Sequence, residues 1–290
     1  VTVTADDGNG GIDEVTFQLT VNDAPTLNDF VLLGQEGIWI KAGATVNNGD
    51  IGANIAASGP FLDSGVETSI GNNVLITDSS SSVFGDSVHL KTGSQVRDVY
   101  YNALSGSGTV IGNQFSPLNL PLLNFPSVPS FTPGAVDVSV PVNATQTISA
   151  GDYNDLIVSH DATLTFTGGI YNFNSWDIRQ DANLYFEAPT EIRIAGKLGA
   201  DARVEIVPAT GSDIDSSDIK IIVTGINGAN GNLGGNPKSA EFGGNTIIEA
   251  NIYVPNGTLW LKDNITAIGA FLGKWVIAGQ DNNISHDTAF

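Results

Sequence analysis

The sequence predicts an all-β chain built mainly as a β-solenoid, and three observations carry that reading. Amphipathic helix patterns are almost absent, because Gly, Asn or Pro interrupts most windows of helical length. In their place a nine-residue template recurs: apolar, any, apolar, two residues, Gly or Asp, small, any, apolar. It reads Ile38-Trp39-Ile40-Lys41-Ala42-Gly43-Ala44-Thr45-Val46, and it returns from Val88, Leu156 and Trp176, with looser copies from Leu259 and Trp275. The turn residue keeps its offset in each good copy. Units repeating every ~16–20 residues cannot bury their apolar sides alone, so they stack into one continuous core. A β-sandwich also alternates and turns, but has no reason to keep that offset.

Residues 1–25 form a unit of their own. Val1, Val3 and Ala5 alternate with Thr, as do Val15, Phe17, Leu19 and Val21, which predicts two half-buried strands. The Asp6-Asp7-Gly8-Asn9-Gly10-Gly11 run supplies turn chemistry between them, and Pro25 ends the pairing. The wording VTVTADDGNGG…VTFQLTVNDAP resembles the last two strands of a cadherin-like or immunoglobulin-like repeat of bacterial surface proteins. The resemblance implies an Ig/cadherin-like β-hairpin from which about five strands of the usual seven are missing. It also implies calcium ligands at Asp6, Asp7, Asn22 and Asp23. A hard cation wants six to eight oxygens, more than one hairpin offers, and Val21 stands where the pattern has an acid.

An isolated hairpin is marginal in water, so the row Val1, Val3, Val15, Phe17, Leu19 and Val21 needs a cover. It could fold back on the solenoid, its sandwich could have been cut away, or it could donate strands to a second copy. Donation from head to tail does not close and would build a filament.

Residues 26–290 carry the solenoid. Prolines 117, 121, 126, 129, 133 and 141 predict an extended crossover over 115–141, and the Gly- and Asn-rich run 225–237 reads as a flexible exposed loop. The phrases FVLLGQEGIWIKAGATVNNGDIGAN, AGDYNDLIVSHDATLTFTGGIYNF and IYVPNGTLWLKDNITAIGAFLGKWVIAG resemble secreted bacterial β-solenoid domains of the choice-of-anchor-A-like and polymer-forming kinds. That likeness implies a structural or adhesive role at the bacterial cell surface, with no catalytic residues to carry over.

Composition narrows the function. Thirty-one acidic residues against 11 basic ones give a net charge of −20, which argues against nucleic-acid binding and against docking on anionic membranes. There is no cysteine, so disulfides, thiolate catalysis and Cys-ligated metals are excluded. Three scattered histidines (His89, His160, His286) make a multi-histidine metal site implausible. The longest charge-free stretch is broken by prolines and cannot be a membrane helix. The chain has no Met and opens inside a strand pattern, as a fragment or processed form would.

Two side-chain patterns remain. In Ile38-Trp39-Ile40 and Leu259-Trp260-Leu261, alternation turns both tryptophans outward if the aliphatics face the core. Outward Trp39 and Trp260 mark sugar stacking or a protein interface, whereas Trp176 and Trp275 occupy core positions of the template. Arg179, Arg193, Lys197 and Arg203 lie in consecutive coils near Asp177, Glu187 and Glu191, as in polysaccharide-degrading β-helices, but outward solvated charges give the same pattern. A flat threonine array of the ice-binding type is not expected. Thr163, Thr165 and Thr167 alternate, but the next units place Ile178 and Arg179, then Ile192 and Arg193, in the corresponding run.

The residues therefore point to a non-catalytic extracellular protein of structural or adhesive role, assembling with copies of itself through the hairpin. The alternative is a β-helix protein that binds or degrades polysaccharide.

Overall fold

The computed structural model describes residues 2–6, 12–16, 24–57 and 62–287. From Phe30 onward the chain is a parallel β-solenoid with three faces. The first face holds the leading halves of Phe30–Ile40 and Phe271–Ala278, and the second holds their trailing halves with Thr68–Ile70. The third is an 11-stranded sheet that includes Thr45–Val46, Thr163–Phe166 and Asn283–Ser285. Every strand pairing from Phe30 on is parallel, and inward side chains stack coil on coil. Leu164, Leu184 and Ile206 form one such ladder, and Phe166 stacks on Phe186 at 4.8 Å, the spacing of neighbouring strands.

The recurring turn residue is explained by one corner of the coil. Gly43, Asn73, Gly93, Asn143, Asp161, Asp181, Arg203, Asn245, Asn264 and Asp281 all have φ between 54° and 75°. Gly, Asn and Asp are the residues that reach this left-handed region most cheaply. The amide of every one of these corner residues except Gly93 reaches the next coil, as in Asp281 N–H to the Ala42 carbonyl (3.0 Å) and Gly43 N–H to the Asn72 carbonyl (2.9 Å). Arg203 is the exception in type; its guanidinium is held by both carboxylate oxygens of Asp181 at 2.6 and 2.9 Å. The copy aligned from Trp275 is out of step by one, because Leu259 pairs with Val276.

Coils do not stack in the order of the sequence. The first coil lies in the middle, and the chain climbs from it to the strand Asp98–Gly106 and the pair Gln114–Phe115 at one end. It resumes at the far end with Val138–Val140 and works back until Phe271–Ala278 pairs with Phe30–Ile40. Between these runs, residues 116–137 cross the length of the solenoid, shorter at both ends than the 115–141 read from the prolines. Asn102 clamps the Leu118 backbone, Asn54 clamps that of Leu123, the Tyr253 hydroxyl donates to the Pro126 carbonyl, and Gly134 N–H donates to Tyr153. Leu118, Leu122, Leu123, Phe125 and Val128 pack on a second apolar cluster around Phe84, Tyr253 and Leu272.

At the N-terminus Thr2–Asp6 and Ile12–Thr16 form an antiparallel two-stranded sheet, with Val3 opposite Val15 and Asp6 opposite Ile12. Val1, Asp7, Phe17, Leu19, Val21, Asn22 and Asp23 lie outside the described residues, so the apolar row and the calcium set are placed only in part.

Candidate tryptophan–lysine cleft

The second face brings Trp39 and Trp260 together from opposite ends of the sequence. Trp260 pairs with Ile277, and Ile277 pairs with Trp39, so the three side chains form one outward row. Their strand neighbours Ile38, Ile40, Leu259 and Leu261 are buried in the core. Neither tryptophan is fully exposed. Both are half-buried and line a cleft of about 330 Å³. One wall comes from Leu62, Asp63 and Glu67, and the other from Leu233, Gly234 and Lys238. Trp275 closes the cleft. It is buried, as predicted, but in this wall rather than in the main core, where its neighbour Val276 sits.

The residue after each of these strands forms a second row: Lys262, Gly279, Lys41, Gly71 and Lys91 on successive coils. The glycines are required by close approach. A Cβ on Gly71 would lie 2.6 Å from the Lys41 carbonyl carbon, and one on Gly279 would lie 2.4 Å from that of Lys262. Alternation also keeps the lysines two strand spacings apart, which limits their repulsion.

The ammonium groups lie on the indoles. Lys41 Nζ is 5.3 Å from the Trp39 ring centre and 5.2 Å from that of Trp260; Lys262 is 5.1 Å from Trp260 and Lys91 6.0 Å from Trp39. Such contacts contribute roughly 0.5–2 kcal/mol each, more where water is excluded. A sugar stacking on these rings would therefore share their surfaces with lysine.

The carboxylates of the cleft are occupied. Asp63 pairs with Lys91 at 2.7 Å and accepts from Ser69; burial pushes its pKa up, but these hydrogen bonds outweigh burial and hold it below the usual carboxylate range. Glu67 accepts from the Ala57 and Ser87 amides and from the Ser87 hydroxyl. Glu241 lies 3.7 Å from Lys262. Lys238 donates to the Leu233 and Gly235 carbonyls at 2.7 and 2.9 Å, and burial pushes its pKa down. Lys41 differs from them. Among the described residues its ammonium has no oxygen partner.

The run 225–237 is a largely exposed loop, as expected, but it is pinned through Asn227 and supplies one wall of the cleft. Asn227 is fully buried; its amide oxygen accepts from Ser239 and Thr258 N–H, and its amide nitrogen donates to the Thr258 hydroxyl and the Asn232 carbonyl. Sequence reading found Trp39 and Trp260 but missed Lys41, Lys91, Lys262, Asp63 and the role of Trp275. A signal was present: three copies of the template continue apolar-any-apolar-Lys, at Lys41, Lys91 and Lys262.

The other candidates are placed apart from the cleft. Arg179 pairs with Asp177 at 2.6 Å, Arg193 with Glu191 at 2.5 Å, and Lys197 donates to the Gly228 carbonyl, so each cation is already engaged. Asp215 and Asp218 cap a short 3-10 turn, Ser216–Asp218. Among the described residues no group of three or more His, Asp or Glu converges as a metal site. The threonine alignment is corrected by the register. Thr163 and Thr165 face Thr145 and Thr147 on one side, but Asn183 and Tyr185 on the other, so the array is two coils long.

No family model matches the chain, and no curated protein matches it. Among solved structures, an ice-binding protein from an Antarctic bacterium, Flavobacteriaceae, is similar at 12% identity, with 91% of this chain and 99% of that chain covered and a TM-score of 0.33.

Proposed function

We propose that this is a non-catalytic extracellular protein of structural or adhesive role that holds a polysaccharide in the tryptophan–lysine cleft. The observation that carries the reading is the row Trp260–Ile277–Trp39, set as a flat apolar floor beneath two walls. Sugar rings offer apolar C–H faces to such a floor and hydroxyls to its rim. General acid–base hydrolysis wants a pair of carboxyl groups free to exchange protons. Asp63, Glu67 and Glu241 are each committed to other partners. The net charge of −20 and the absence of cysteine suit a surface or matrix setting.

Affinity electrophoresis through gels cast with single polysaccharides tests the reading. Wild type is expected to be retarded, with Trp39→Ala and Trp260→Ala running free while keeping the wild-type circular dichroism. Equal retardation of both variants, or release of reducing ends by wild type, would remove it.

A second reading rests on the hairpin. Among the described residues Thr2–Asp6 and Ile12–Thr16 pair only with each other, which leaves them available for strand donation to another copy. Deleting residues 1–25 is then expected to give a folded protein that no longer assembles, scored by light scattering. Unchanged assembly sinks it.

A further inference from the structure

We infer that the cleft selects acidic saccharides and that Lys41 receives their carboxylate; this rests on the polysaccharide reading above. A chain of net charge −20 has only 11 basic side chains, yet Lys41, Lys91, Lys238 and Lys262 all stand in or beside this one cleft. Three of them face oxygens of the protein: Lys91 pairs with Asp63 at 2.7 Å, Lys238 donates to two carbonyls, and Lys262 lies 3.7 Å from Glu241. Lys41 is half-buried between two indoles, and among the described residues no carboxylate lies within 4.0 Å of its ammonium, although Asp63 and Glu67 line the same cleft.

The indole faces stabilise an ammonium but leave its three N–H donors unused. Burying a charge without such partners is costly, and a carboxylate supplies the charge-assisted hydrogen bonds that the tryptophans cannot. The two carboxylates that line the cleft, Asp63 and Glu67, are held by Lys91, Ser69, Ala57 and the Ser87 amide. The missing acceptor is thus left for a ligand.

The walls say what carries that carboxylate. Trp275, Leu62, Ile277 and Leu233 give the cleft a largely apolar lining. A small inorganic anion would satisfy Lys41 and leave this surface wet. A carboxylate on a pyranose ring satisfies both at once, with the acid on Lys41 and ring C–H groups over Trp260 or Ile277. An ammonium is a point charge and does not demand the planar fork that Arg offers, so single-oxygen contact with a uronate suffices.

Calorimetry with galacturonate, glucuronate and mannuronate oligosaccharides, each beside its carboxyl-reduced counterpart, tests the assignment on the intact chain. Wild type is expected to prefer at least one acid form over its reduced partner by roughly tenfold or more, with the preference shrinking as salt rises. Lys41→Gln is expected to abolish the preference, its acid and reduced forms binding alike, and Lys41→Arg to keep part of it. Equal binding of acid and reduced forms by wild type overturns the role of Lys41 and leaves the polysaccharide reading standing. A preference that survives in Lys41→Gln also overturns it. Failure of wild type to bind any sugar of the panel at millimolar concentration, with Trp260→Ala behaving identically, overturns both.

Discussion

Asp50 shows how one residue sets a pH dependence. It is a buried carboxylate that accepts Ser82 N–H at 2.7 Å, and burial raises its pKa to about 7, with the Asp29 charge pushing the same way. In the unfolded chain the group ionises near 4, so between about 4 and 7 the folded state binds the extra proton, and stability from this group falls as pH rises. Asp50→Asn keeps an acceptor for Ser82 and has no charge to bury. Urea unfolding is expected to show the variant more stable than wild type at pH 8, with the gain fading toward pH 4; a gain that grows on acidification contradicts this. Two glycines separate conformational strain from close approach. Gly65 has a φ of 72° with open space around it, so Gly65→Ala is expected to cost about 1 kcal/mol. Gly71→Ala would press on three backbone atoms of the neighbouring coil and is expected to cost more, up to about 3 kcal/mol in the same assay.

Among the elements, the crossover depends on side chains that imitate backbone. Asn54 gives its amide oxygen to Leu123 N–H and its amide nitrogen to the Leu123 carbonyl, both at 3.0 Å, and it is nearly fully buried. Asn54→Ala strands these groups, which costs about 1–3 kcal/mol where they stay buried. Limited proteolysis is expected to cut 116–137 faster in this variant while the coils resist; cleavage at the wild-type rate argues that the apolar contacts alone hold the segment. The prolines announced this crossover because proline cannot donate to a ladder. The residues it lies on were not legible, since Asn54 and Tyr253 come from coils far apart in the chain. The 225–237 run is the exposed loop its composition announced, but its anchoring through Asn227 was hidden for a related reason. Gly and Asn favour loops wherever they occur, but whether a loop is held depends on buried partners such as Thr258 and Ser239, which the local pattern does not show.

For the whole molecule the decisive feature is the seam where the last coil pairs with the first. It joins two runs of coils that meet there and are otherwise linked by the crossover, and it places Trp275 and Ile277 against Trp39. A chain ending at Gly269 would expose the edge of Phe30–Ile40 and uncouple the halves. Calorimetry is expected to split one transition into two, the first well below the wild-type midpoint, and an unchanged single transition would show that the halves are stable without the seam. The two-strand spacing of Trp39 and Trp260 would be lost with it, so such a chain is also expected not to bind sugar.

The solenoid, its corner and its outward tryptophans were determined by sequence alone, because each follows from a local rule. A residue with positive φ is cheapest as Gly, Asn or Asp, and alternate side chains of a strand point to opposite faces. The order of the coils follows no such rule. Any coil has the same apolar edge as any other, so pairing the last with the first, as well as with the strand preceding it, is chosen by packing over the whole chain. That choice alone puts Trp39 and Trp260 in one row with Lys41 between them, unpaired among the described residues, and this is why the site could be read only from the tertiary structure.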